Sequence, residues 1–209
     1  MKALGKVGTA CVLAAPLALT APSTAGVVTF DELGARPSDF FLVNPLRDEY
    51  AGLRFSGPSA LDGGAILDQN SNFGISARSG RNFLAFNRLP AATMANGGRP
   101  LDPETIEFLS SPVSSVEIYC FGTNSLNFVM EGFDSNGKLV TRSEIANNNT
   151  AWVRLAISST TPISKVSLSE TKGGSPAWIF DDLSFTPVPA PAGLAALGLG
   201  SVFLVRRRR

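Results

Sequence analysis

The sequence predicts an all-β fold, a jelly-roll-like antiparallel β-sandwich, and three observations support this prediction. About ten short runs that are apolar or alternate in polarity recur between turn residues. Asn136-Gly137 lies between two such runs and tolerates the positive φ that a tight hairpin turn requires. The central region shows no sustained helical periodicity, which favours two packed sheets over βαβ units.

The predicted strands are four to eight residues long. Because successive side chains of a strand point to opposite faces, Val116, Ile118 and Cys120 share one face, and Glu117 and Tyr119 share the other. The apolar face is expected in the core, where Cys120 would be a buried, inert thiol. The ten runs are 27–30, 51–55, 82–86, 105–109, 116–121, 126–133, 139–145, 152–157, 165–168 and 178–185.

Composition limits the chemistry that the chain can perform. Histidine is absent, which excludes Ser-His-Asp and Cys-His catalysis and zinc sites that need imidazole. Of the two cysteines, Cys11 lies in a segment that we predict to be removed, so no intrachain disulfide is expected. Six of the 18 basic residues lie in the terminal segments, which leaves 12 basic and 17 acidic residues between them. That acidic balance argues against a nucleic-acid partner.

Residues 1–25 have the three-part order of a secretory signal peptide. Residues 1–6 form a basic start, residues 7–20 are mostly apolar, and Ser23-Thr24-Ala25 offers small residues for cleavage before Gly26. A short buried helix is the alternative. The signal-peptide interpretation predicts that the export machinery and a signal peptidase act on this chain.

The C-terminal segment has the pattern of a hydrophobic helix between prolines and arginines. Residues 192–205 are mostly apolar, but at about 1.5 Å of rise per residue they span only about 21 Å of a bilayer core about 30 Å thick. Counting from Val188 gives 18 residues. The terminal arginines would stay on the cytoplasmic side, so we expect at least transient anchoring in the inner membrane with the domain outside.

This tail resembles the PEP-CTERM sorting signal of exported bacterial proteins. The resemblance rests on a proline-rich start, a helix with Gly-Leu-Gly and an arginine cluster, here Pro189, Pro191, Arg206, Arg207, Arg208 and Arg209. It implies recognition by an exosortase, a membrane transpeptidase-like enzyme, and removal of the anchor. This chain has Val-Pro-Ala-Pro where that family has Pro-Glu-Pro, so the exosortase variant stays open, and a plain membrane anchor is the alternative. The chain thus divides into a signal peptide at 1–25, a β-sandwich at 26–186 and a sorting tail at 187–209.

The central domain resembles the jelly rolls of carbohydrate-binding modules. Short pieces carry this resemblance, at 29–33, 50–53, 82–87, 132–134 and 180–185. In those modules, acidic residues on the first and last strands often bind a structural calcium, which implies a site formed by Asp31 or Glu32 with Asp181 or Asp182. Calcium also accepts backbone carbonyls as ligands, so a few carboxylates suffice. The alternative is hydrogen bonding to loop amides or pairing with an arginine.

Asp181 and Asp182 are adjacent on a predicted strand. Strict alternation puts them on opposite faces, with Asp181 beside Ile179, Leu183 and Phe185. They therefore do not form a glycosidase pair, whose two carboxyls face one cleft at about 5 to 9.5 Å. We accordingly predict no catalytic residues.

Aromatic side chains are the best candidates for stacking on sugar rings, although each type also serves in cores and rims. These candidates are Trp152, Trp178, Tyr50 and Tyr119. The sequence thus predicts a non-enzymatic protein of the cell envelope or extracellular matrix, with an exopolysaccharide as its partner. A structural or protein-interaction module without a sugar ligand is the alternative, and a glycan hydrolase comes third.

We expect both terminal segments to be removed from the surface protein. Intact-mass analysis should give Gly26 as the first residue and a mass that lacks Arg206 to Arg209. A surface form that keeps all four arginines would reduce the tail to a simple membrane anchor.

Overall fold

Eleven strands form the secondary structure of the described residues, and they confirm the all-β prediction. They are β1 (Gly26–Val28), β2 (Leu53–Ser56), β3 (Ala65–Asp68), β4 (Asn82–Phe86), β5 (Glu104–Phe108), β6 (Val113–Gly122), β7 (Leu126–Phe133), β8 (Leu139–Asn147), β9 (Val153–Ile163), β10 (Lys165–Glu170) and β11 (Trp178–Pro187).

The computed structural model describes residues 24–34, 46–57, 63–70, 74–86, 103–122, 126–147, 150–171 and 178–189. Residues 1–23 of the predicted signal peptide and residues 190–209 of the predicted tail, with Pro191 and the four arginines, lie outside this set. Within it, no helix is long and apolar enough to cross a membrane.

The strands form two antiparallel sheets that pack as a sandwich. The six-stranded sheet has the order β3-β4-β11-β6-β9, and β1 pairs with the second half of β11. The five-stranded sheet has the order β2-β5-β10-β7-β8. The first and last strands are therefore neighbours, with Gly26 opposite Phe185 and Val28 opposite Leu183.

The main core lies between the two sheets and follows the predicted alternation on β6. Val116, Ile118 and Cys120 are buried in it, whereas Glu117 and Tyr119 are half-buried on the opposite, outer face. Aromatic side chains fill much of the interior, and the rings of Phe128 and Phe180 meet edge to face with centroids 5.5 Å apart. The largest fully buried side chains of the main core include Trp178, Phe30, Phe55, Phe128 and Phe180.

The predicted hairpin at Asn136-Gly137 joins β7 to β8. Gly137 has a φ of 76°, the left-handed conformation that suits glycine. One carboxylate oxygen of Asp134 accepts hydrogen bonds from the backbone N–H groups of Asn136 and Lys138, each at 2.9 Å. The turn residues thus determine the register of this pair of strands.

Strand β3 has no counterpart among the predicted runs. All four of its residues, Ala65–Asp68, are buried, so the strand shows no alternation of polarity. The cause is burial on both faces, because Ile66 belongs to the main core while Ala65 and Leu67 belong to a second cluster on the other side of the sheet. A short apolar run cannot be told from a segment of buried helix by periodicity alone, so alternation did not identify this strand.

The prediction that β11 alternates strictly is wrong. The pairing with β6 shifts between Asp181 and Ser184, and Asp182 has a φ of 50°, which together mark a β-bulge. The extra residue reverses the alternation, so Leu183 lies with Phe180 in the main core rather than on the face of Asp181. The bulge also lets Asp181 and Asp182 contact the same segment instead of opposite faces.

Native Cys120 should resist thiol labelling. Its side chain is fully buried, and burial raises the pKa of the thiol, which keeps it in its unreactive form. With a maleimide or iodoacetamide reagent at neutral pH, we expect slow labelling of the native processed protein and rapid labelling in denaturant. Equal rates in both conditions would contradict the packing of β6 described above.

Candidate functional site

A crossing segment, defined as residues 74–81, covers part of the outer face of the six-stranded sheet just before β4 begins. Its side chains Ile75 and Ala77 close a second apolar cluster on that face. Trp152, next to β9, donates its indole N–H to the carbonyl of Ser76 at 3.2 Å and packs on Phe121. The other members of the cluster are Ala65, Leu67, Phe83, Ala85 and Ile179.

Three carboxylates hold the end of the crossing segment. Asp181 accepts hydrogen bonds from the backbone N–H groups of Arg78 at 2.8 Å and Ser79 at 3.2 Å. Asp182 accepts one from the hydroxyl of Ser79 at 2.6 Å and pairs with the guanidinium of Arg78. Asp31 accepts from the backbone N–H groups of Arg81 at 2.9 Å and Asn82 at 3.0 Å.

Gly80 makes this arrangement possible. Its φ is 54°, and a Cβ atom built there would lie inside the carboxylate of Asp31. Only glycine combines this backbone conformation with so close an approach.

The structure thus brings Asp31, Asp181 and Asp182 to one segment, whereas Glu32 bonds within its own turn to the N–H of Thr29 at 2.8 Å. The donors around these oxygens are amide N–H groups, a hydroxyl and a guanidinium, which a cation would have to displace. Among the described residues, no group of three or more His, Cys, Asp or Glu side chains is placed to hold a metal. These contacts match the alternative of amide and arginine partners, and calcium binding stays a prediction.

The four aromatic candidates for sugar stacking divide between core and surface. Tyr50 and Trp178 lie in the main core, where Tyr50 meets Phe30 edge to face. Tyr119 and Trp152 are half-buried on the outer face of the six-stranded sheet. The guanidinium of Arg78 lies 3.4 Å from the centroid of the Tyr119 ring and covers one of its faces.

Beyond Tyr119, the same face carries an open groove of about 400 Å³, which we call the outer groove. Its charged residues are Glu117 on β6 and Arg154 on β9, whose side chains form an ion pair at 2.6 Å. Hydroxyl side chains also line the groove, together with Ala25 and with Phe185, whose ring packs against Phe108 of the main core. The hydroxyl-bearing residues are Ser115, Ser158, Ser184 and Thr186.

Two carboxylates of this face have pKa values that are shifted in opposite directions. The hydrogen bond from Arg154 lowers the pKa of Glu117, so this groove carboxylate is an ionised acceptor at neutral pH. Burial raises the pKa of Asp181 to about 7, although three backbone N–H bonds favour its ionised form. Asp181 is fully buried and does not line the groove.

The sequence analysis did not single out Arg78, Arg154 or the crossing segment. Alternation correctly placed Glu117 and Tyr119 on one face, but it carried no information about which strand lies beside them. One of the two neighbours of β6 is β9, which brings Tyr119 opposite Arg154. That pairing is a long-range contact for which the local pattern has no signal.

No protein-family model matches the chain, and no curated protein matches it in sequence. Among solved structures, the K1 cleaved adhesin domain of Lys-gingipain from Porphyromonas gingivalis has 10% identity and a TM-score of 0.47, over 79% of this chain and 99% of that one. The CBM22-1 xylan-binding domain of Paenibacillus barcinonensis Xyn10C has 16% identity and a TM-score of 0.44, over 81% and 98%. A DUF4465 family protein from Bacteroides caccae has 12% identity and a TM-score of 0.46, over 85% and 99%. At these levels the likenesses carry no argument about function.

Stability should depend on pH through Asp181. Its pKa of about 7, raised from 3.8 by burial, means that the folded state holds a proton that the unfolded chain releases. The stabilisation is therefore complete below the ordinary pKa and is lost as the pH rises through about 7. We expect the urea midpoint of unfolding to fall between about pH 5 and about pH 8, and Asp181→Asn to flatten this fall. Parallel pH profiles for the two proteins would contradict the assignment.

Proposed function

We propose that this chain is an exported, non-catalytic, carbohydrate-associated β-sandwich that binds a saccharide in the outer groove. The observation that carries the proposal is the ion pair of Glu117 and Arg154 in an open groove surrounded by hydroxyl side chains. Each sugar hydroxyl can both donate and accept a hydrogen bond. An ionised carboxylate beside a guanidinium offers acceptors and donors side by side, and charge-assisted hydrogen bonds are stronger than neutral ones.

The size and borders of the groove suit a short stretch of a polysaccharide. A volume of about 400 Å³ lies within the range of pockets that hold small ligands. The groove is open to solvent, so a chain of sugars can continue beyond it. Tyr119 stands beside the groove, and its hydrogen bond with Glu117 also lowers the pKa of that carboxylate.

The charges of the groove argue against hydrolysis. A glycosidase needs two carboxyl groups that flank the scissile bond, one of them with a raised pKa that lets it act as the acid. In the part of the chain that the structure describes, the groove lining contains one carboxylate, Glu117, whose pKa is lowered. Asp181 has a raised pKa, but its oxygens accept backbone N–H bonds beneath the crossing segment.

Export, sorting and location are also part of this proposal, and they rest on the two terminal segments of the sequence. Signal peptidase would cut before Gly26, and an exosortase-like enzyme would process the tail, which would leave the domain at the cell envelope or in the extracellular matrix. An exopolysaccharide is the partner that this location offers. An interaction module without a sugar ligand is the second candidate, and a glycan array separates the two.

Substitutions in the outer groove should weaken saccharide binding, and matched substitutions on the other sheet should not. We expect Glu117→Gln and Arg154→Gln each to weaken binding to a positive glycan about tenfold or more, because each removes charged hydrogen-bond partners. Arg142→Gln and Glu144→Gln are the controls, since they break an ion pair of 2.8 Å on the five-stranded sheet. Isothermal titration calorimetry measures the four affinities. If the groove variants and the control variants lose the same affinity, or if only the control variants lose affinity, the saccharide binds elsewhere.

A further inference from the structure

The peptide bond between Ala25 and Gly26 lies at the outer groove. Ala25 contributes to the lining of the groove, and Gly26 begins β1 opposite Phe185, another lining residue. A Cβ atom built on Gly26 would overlap the ring of Phe185, so the chain lies flat against that ring. The pairing of β1 with β11 continues to Val28 and holds this part of the backbone in place.

This bond is also the one at which the sequence predicts cleavage. Hydrolysis adds one water across it, with the hydroxyl going to the carbonyl carbon of Ala25 and a proton to the nitrogen of Gly26. That nitrogen then takes a second proton from solvent and becomes an α-ammonium group, because its ordinary pKa is about 7.7 to 8.0. An uncharged amide at the edge of the groove is thereby replaced by a cation with three N–H donors.

The added charge changes the balance of the groove. Among the described residues, its lining carries one negative group, Glu117 on β6, and one positive group, Arg154 on β9, which pair with each other. From β11 the lining receives Ser184, Phe185 and Thr186, which are uncharged. The described lining of the uncut chain is therefore neutral, whereas the groove of the cut chain loses Ala25 and gains a net charge of about +1.

We propose that the α-ammonium group of Gly26 is a ligand-binding group of the outer groove, and that the processed protein prefers an acidic saccharide, one that carries uronate carboxylates, to its neutral counterpart. This inference rests on the proposed function. The cut groove holds two cations, Arg154 and the ammonium group, and one anion, Glu117. A ligand carboxylate is therefore attracted even when the ammonium group contacts Glu117. Paired with a cation, that carboxylate forms charge-assisted hydrogen bonds that a sugar hydroxyl cannot match.

The test compares two forms of the processed protein with two saccharides. The protein is isolated with Gly26 as its first residue, and a portion is acetylated at the α-amine at mildly acidic pH, where the lysines, with a pKa of about 10.4, react far less. Oligogalacturonate and a neutral galacto-oligosaccharide of the same length are the probes. We expect acetylation to weaken oligogalacturonate binding about tenfold and to leave the neutral saccharide unchanged.

The outcomes separate this inference from the proposed function. If the neutral saccharide binds as tightly as the acidic one, and acetylation changes neither, the groove binds sugar but the ammonium group has no role. If neither saccharide binds either form, the proposed function fails for these ligand classes and the inference fails with it.

A measurement without ligand tests the placement of the group. If the α-amino group faces the groove, its pKa in an NMR titration should be lower in Glu117→Gln than in the parent protein, because the variant lacks the groove carboxylate that favours the charged form. An unchanged pKa would put the ammonium group outside the groove and overturn the inference.

Discussion

The buried carboxylate of Asp181 is the contact on which the outer face of the six-stranded sheet depends. It lies on the last strand and accepts two backbone N–H groups of the crossing segment, more than 100 residues earlier in the chain. Since the segment is held there, Ile75 and Ala77 cover an apolar surface that would otherwise face water. The same contact puts Arg78 against Tyr119, which marks where the covered part of the sheet ends and the outer groove begins.

The bulge at Asp182 lets both aspartates take part in this contact. In a regular strand, two consecutive side chains diverge, and one of the two carboxylates would have entered the main core. Aspartate tolerates the left-handed conformation better than most residues, so the chain can insert one residue here at modest cost. Both acids then contact Arg78 and Ser79, while Phe180 and Leu183 remain in the main core.

Local patterns predicted most of the strands but little of the candidate site. Alternation and turn residues are local properties, so they located ten strands and the hairpin at Gly137, and they missed β3, which is buried on both faces. They could not tell that Trp178 lies in the main core while Trp152 lies on the outer face. The placement of each side chain depends on which face of its sheet the other sheet covers, and that is a long-range property. The pairing of Glu117 with Arg154 likewise arises only when β6 and β9 meet.

The position of β11 has a mechanical consequence if the C-terminal end of the domain is tethered, as the proposed sorting implies. β11 is bonded to β6 along one edge and to β4 and β1 along the other, and residue 188 adds a further bond to Pro112 at 2.8 Å. Tension applied beyond that point pulls along the strand axis, perpendicular to its hydrogen bonds. The load is then shared in shear by two rows of bonds that must break together. A tether attached to this inner strand withstands drag better than one attached to an edge strand, which opens one bond at a time.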